Sequence, residues 1–151
     1  MSSQAPRIEV TLPHMRIAIV ATLWNEHIVD QLIEGAQDVL GEASMETHVF
    51  RVSGAFELPL VVAQSLKSFD AAIALGVVIR GDTAHFDYIC QSVTDGLTRV
   101  VLDERKPVGF GVLMVENEEQ ALVRCHKDNN KGAESAEAVL LSLQKLLEIK
   151  G

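Results

Sequence analysis

"AAIALGVVIRGDTAHFDY", residues 71–88, decides how this chain folds. Its first nine residues are apolar or glycine, without the alternation of a strand wetted on one side, so they read as a β-strand buried on both faces. Gly81, Asp82 and Thr83 then form a turn, and a helix follows with a histidine, His85, in its first turn. A two-faced buried strand feeding a helix is the first half of a parallel crossover, so the question becomes whether the rest of the chain repeats it.

It does. Three more apolar runs, residues 15–22, 46–52 and 107–115, read as strands, and amphipathic stretches over 25–40, 56–67, 83–102, 117–125 and 132–149 read as helices. In the first of these Ile28, Leu32, Ala36 and Val39 share one face. Asn25 and Asn117 stand at N-cap positions, Gln120 completes a capping-box spacing after Asn117, and Pro59 falls near a first turn. Right-handed crossovers then give a three-layer α/β/α sandwich on a four-stranded parallel sheet. Residues 14–151 are expected to form a single domain and residues 1–13 an extended arm.

The 151 residues are 48% hydrophobic, enough to fill one core. With 13 Lys+Arg against 21 Asp+Glu the net charge is −8, which argues against nucleic acid or an anionic membrane as partner. Any phosphate must be held by a few placed groups. Cys90 and Cys125 lack Cys-x-x-Cys spacing, His14, His27, His48 and His126 lack ligand spacing, and no metal site is read. No apolar stretch nears the roughly 18 residues of a membrane span, and no secretory leader is recognised, so a reducing cytoplasm is the expected location.

Ligands of such sheets gather at the carboxyl ends of the strands. There Trp24, the one tryptophan, is either a stacking plate for a flat heterocycle or a packing residue at the domain edge. In "SGAFELP" Gly54 permits close backbone approach, and Glu57 is a ligand contact or a dipole-favoured surface charge. The amides of Gly81, Asp82 and Thr83 with the Thr83 hydroxyl make a phosphate nest, whereas Asp82 is better suited to capping the helix than to touching an anion. A helix start favours the neutral imidazole of His85, ready to accept a proton. Arg124, among acidic residues, is by default a surface ion-pair partner. Phe110 lies between Gly109 and Gly111, which expose the strand on both sides and suit a ring stacked on a ligand.

Several signatures are absent: G-x-G-x-x-G after the first strand, a Walker A lysine, a Gly-x-Ser-x-Gly elbow, and the acidic cluster a receiver domain needs where Ala21, Thr22 and Leu23 stand.

"SGAFELP", "ALGVVIRGDTAHFDY", "LMVENEEQA" and "NKG", in this order and spacing, resemble the lumazine synthase family over nearly the whole chain. The resemblance implies a flavodoxin-like sandwich and a transferase of riboflavin biosynthesis. The reaction would condense 5-amino-6-(D-ribitylamino)uracil with 3,4-dihydroxy-2-butanone 4-phosphate to 6,7-dimethyl-8-ribityllumazine, releasing phosphate and water without metal or redox cofactor. It implies Trp24, Ala55, Phe56, Glu57, Val77, Val78, Ile79 and Phe110 for the pyrimidine and its ribityl chain. Gly81, Asp82, Thr83 and Arg124 would hold the butanone phosphate, with His85 as acid/base and Lys131 in support. It further implies a homo-oligomer built from pentamers, Phe110 entering the neighbour's site, with riboflavin synthase as a candidate partner.

Two departures stand out. "CHKDNNKG" replaces a Gly-Thr-x-x-Gly-Asn-Lys-Gly stretch, which bears on an icosahedral shell and leaves the five-fold ring untouched; Trp24 replaces a common Phe, a wider plate for flavins. The rival class is a non-catalytic flavin-binding or scaffold protein of the same fold.

Overall fold

The computed structural model describes residues 11–151. Most of the expected arm, residues 1–10, lies outside the described residues.

The elements alternate as expected: β1 (Arg16–Thr22), α1 (Glu26–Glu42), β2 (Glu46–Val52), α2 (Leu58–Ser65), β3 (Ala71–Ile79), α3 (His85–Glu104), β4 (Val108–Val115), α4 (Glu118–Leu122), the short strands β5 (Cys125–His126) and β6 (Asn129–Asn130), and α5 (Lys131–Lys150). The main sheet has the order β2-β1-β3-β4 and every pairing is parallel. This is a three-layer α/β/α sandwich of the flavodoxin-like kind.

The lack of alternation in the strands now has its cause. Ile17, Ile19 and Ala21 of β1 with Ile73, Leu75 and Val77 of β3 pack under α1 and α5, while Ala18, Val20, Ala72 and Ala74 pack under α2 and α3. Each central strand therefore buries both faces, and each Ile or Leu so buried contributes about 1.5–3 kcal/mol.

The element boundaries depart from expectation where local chemistry intervenes. Asn25 does not cap α1 through its side chain; it sits in the left-handed region (φ 58°), and its carbonyl accepts from the Ile28 and Val29 amides. The second helix opens as a 3₁₀ turn, Ala55–Glu57, before Pro59 enters the first turn of α2. Asp82 is not the cap of α3, because that helix starts at His85 with Ala84 before it and no side-chain cap. Asn117 does cap α4, its Oδ1 accepting from Gln120 N at 2.9 Å, but Gln120 reaches back to Glu116 N rather than to Asn117 N. The helix expected over 117–125 stops at Leu122, and an antiparallel hairpin pairs Cys125 with Asn130 and His126 with Asn129.

Candidate active site

The register of the sheet opens a crevice. β3 pairs with β1 only as far as Ala21 opposite Leu75, yet it continues beside β4 to Ile79 opposite Val115. From residue 76 to 79 the β1 side of β3 has no strand partner, so main-chain polar groups of Val77 and Ile79 face the gap unpaired by the sheet, while those of Val78, between them, turn to β4 as Arg80 N does in donating to Val115 O. Gly76 makes the neck of this gap possible, since a Cβ there would come within 3.1 Å of both Thr22 Cγ2 and Oγ1.

One wall of the gap is Trp24, 70% exposed. A Cβ on Gly54 would lie 3.2 Å from Trp24 Cδ1, so the absent side chain lets the indole rest against the turn after β2. That turn is tied by Glu57, whose Oε2 accepts from Gly54 N at 3.1 Å while its own amide donates to the Gly54 carbonyl. Glu57 is exposed and held at a fixed place, with Ala55 buried and Phe56 exposed on either side of the turn.

The other wall is Gly81, Asp82 and Thr83, all exposed, leading into His85 at the first position of α3. The Thr83 hydroxyl accepts from His85 N at 3.4 Å, a long bond that leaves it free to turn to a ligand. Gly81 has open space where a Cβ would be and no positive φ, so its backbone is simply bare.

Arg80, given no role from sequence, latches this wall. Its Nε bonds Glu116 Oε2 at 2.8 Å, its Nη1 bonds Asp87 Oδ1 at 3.2 Å, and its guanidinium lies over the Phe86 ring. The bond to Glu116 raises the Arg80 pKa. Its arginine fork is thus already engaged at the mouth of the nest. The strand-like run before it hid this, although an Arg between a buried strand and a turn is itself a signal.

Phe110, Arg124 and Lys131 are brought together elsewhere. They line a groove of about 530 Å³ along β4, the edge strand, with Glu134, Ser135 and Ala138. Neither Trp24, Glu57, Thr83 nor His85 lines it. Phe110 is opposite Ala74 in the middle of β3, roughly 16 Å short of the carboxyl end of its strand. Arg124 Nη1 donates to Gln120 O at 2.7 Å, and Lys131 Nζ pairs with Glu134 Oε2 at 2.6 Å.

The glycines beside Phe110 do not serve the purpose expected of them. Gly109 and Gly111 are buried, and a Cβ on either would press Ser135 or Leu75, so they let α5 lie close on β4 while Phe110 stands on the other face, 45% exposed. Behind the groove, Asn130 is a buried tie: its Nδ2 donates to Gln31 O and Cys125 O, and its Oδ1 accepts from Ala133 N at the start of α5.

Both cysteines are free, and burial pushes both thiols up. Among the described residues no three of His, Cys, Asp and Glu cluster as metal ligands, and no helix is long and apolar enough to cross a membrane.

Residues 14–146 match the family model described as 6,7-dimethyl-8-ribityllumazine synthase. Proteins of that name are similar to the chain: one from Kineococcus radiotolerans is 46% identical over 97% of this chain and 92% of its own length. One from Bdellovibrio bacteriovorus is 49% identical over 83% of this chain and 72% of its own. A third, from Mycobacterium leprae, is 46% identical over 90% of this chain and 88% of its own.

Proposed function

The chain belongs to the 6,7-dimethyl-8-ribityllumazine synthase family, and on that premise we propose that it condenses 5-amino-6-(D-ribitylamino)uracil with 3,4-dihydroxy-2-butanone 4-phosphate at a site shared by two neighbouring copies. The observation that carries the proposal is the division of the site residues between the crevice and the β4 groove. The crevice has a plate, an acid/base and an anion nest, and the groove adds Arg124, whose guanidinium bonds a carbonyl rather than a carboxylate; one copy's crevice against another's groove has them all.

In this reading the pyrimidine stacks on Trp24, and its polar edge meets main-chain groups of Ala55, Phe56, Val77 and Ile79, with Val78 between the last two holding the strand to β4. Its ribityl chain lies toward Glu57, already fixed by the Gly54 amide. The butanone phosphate sits on the amides of Gly81, Asp82 and Thr83. Arg124 of the neighbouring copy supplies the charge, since Arg80 is engaged by two carboxylates. Lys131 supports Arg124 and Phe110 closes the plate from the same side.

The substrate amine attacks the ketone and water leaves as the Schiff base forms. Loss of phosphate from C4 follows and leaves an enol at C3, which takes up a proton to become a ketone; the second nitrogen closes on that carbonyl with loss of water. His85, exposed beside the nest, takes and returns the protons of these steps. Both substrates are reactive already, so holding them in register supplies most of the acceleration. The assembly is a ring of five, and the free cysteines support a reducing cytoplasm as its location.

The test is to mix purified protein with both substrates and follow lumazine absorbance and phosphate release together. Coupled appearance of both above the spontaneous background upholds the reading. No acceleration, with riboflavin still bound, would instead make the protein a non-catalytic flavin binder.

A further inference from the structure

Arg51, on β2, has no part in the chemistry above, yet its guanidinium spans the end of the sheet. Its Nη2 donates to Thr22 O at 2.8 Å and its Nη1 to Asp30 Oδ1 at 3.0 Å. Those acceptors stand on either side of the Trp24 turn, one at the last residue of β1, the other in the second turn of α1. Between them the chain reverses through Leu23, Trp24 and the left-handed Asn25, and Leu23 N donates to Val52 O at 2.8 Å.

An exposed ion pair would hold little. This side chain is only 28% exposed, and one arm of its fork ends on a backbone carbonyl. Its Nε is buried without a hydrogen-bond partner in the structure. An unmet buried donor opposes stability, so the fork is not accounted for by stability alone.

We infer that Arg51 is a positioning residue for Trp24, clamping both sides of its turn so that the indole stays against Gly54 at the crevice. Its contribution to the reaction rests on the reading that Trp24 stacks the pyrimidine. The clamp then governs affinity for the heterocycle and leaves the phosphate substrate untouched, because the nest is latched separately by Arg80.

Trp24 is the only tryptophan, so its emission reports this turn alone. Arg51→Met keeps the apolar stem and removes both donors; Asp30→Asn weakens only the helix side. On the assembled protein without ligand, Arg51→Met should lower Trp24 fluorescence anisotropy and increase quenching by acrylamide. It should raise the KM for the pyrimidine about tenfold while the KM for the butanone phosphate moves less than about twofold. Asp30→Asn should show the same pattern more weakly, and it carries the test if Arg51→Met does not fold. Arg51→Lys should not restore the parent values, since one ammonium cannot serve both acceptors. Unchanged anisotropy in Arg51→Met, or equal rises in both KM values, would overturn the clamp. A loosened indole with pyrimidine KM unchanged, in Trp24→Ala as well, would uphold the clamp and overturn the stacking reading.

Discussion

The crevice beside β3 and the groove along β4 are made of different materials. The crevice is mostly backbone: an unpaired strand edge, a 3₁₀ turn closed by Glu57, and a Gly-Asp-Thr turn, with Trp24 and His85 set at element ends. The groove is mostly side chain: Phe110 from mid-strand, Arg124 after α4, Lys131 at the start of α5. Backbone placed by a sheet is fixed within one copy, whereas long side chains on an exposed edge keep freedom to take new partners. On the proposed reading, the difference teaches that one copy supplies the plate and the amide nest, and that the cation and the closing Phe110 come with a second copy.

The largest expected effect tests how far the groove rests on the core. A Cβ on Gly132 would come within 2.0 Å of Leu32 O, so Gly132→Ala must move α5 off α1. Thermal or denaturant unfolding should show a loss of about 3 kcal/mol or more. Next, His85→Ala should lower kcat about a hundredfold with ring assembly and ligand binding nearly intact. Unchanged turnover would remove the proton-transfer role. Arg124→Ala should raise the KM for the butanone phosphate about tenfold and that for the pyrimidine less than about twofold; equal effects would make Arg124 an interface residue.

Mixing these two variants sharpens the comparison. If one copy's crevice meets another's groove, reassembled mixtures of His85→Ala and Arg124→Ala regain intact sites at about one in four positions, and steady-state assays should see activity above either parent. No recovery would place both residues in one copy's site. The smallest effect is Asn117→Ala, which loses the cap bond to Gln120 N and should cost about 1 kcal/mol with kinetics unchanged.

The strands were legible because a parallel sheet buries both faces of its central strands, which writes a short continuous run of apolar residues and glycine, rich in Val and Ile and bounded by turn residues. Pro59 and Asn117 were legible for equally local reasons. The start of α3 was not: Asp82 and Thr83 have the chemistry of caps, but the turn consumes them. The hairpin of β5 and β6 left no periodicity, because each strand has two residues. In the site, the rule of carboxyl ends brought Trp24, Glu57 and the nest together without any contact being known. Phe110 lies outside that rule, in mid-strand, and its glycine neighbours admit α5. The position of Arg80 was a signal but its partners were not, and Arg51 was invisible, because each acts by bridging elements that only the folded register brings near.

Asn130 carries a consequence for how the protein is made. Its amide bond to Gln31 O spans 99 residues, and the same side chain holds Cys125 O and begins α5. Contacts this distant in sequence close late, since the intervening chain must first give up its freedom. The expectation is that a growing chain completes the crevice while the β4 groove is still unset, so that, in the proposed assembly, docking of copies waits for the final helix and incomplete chains are kept out.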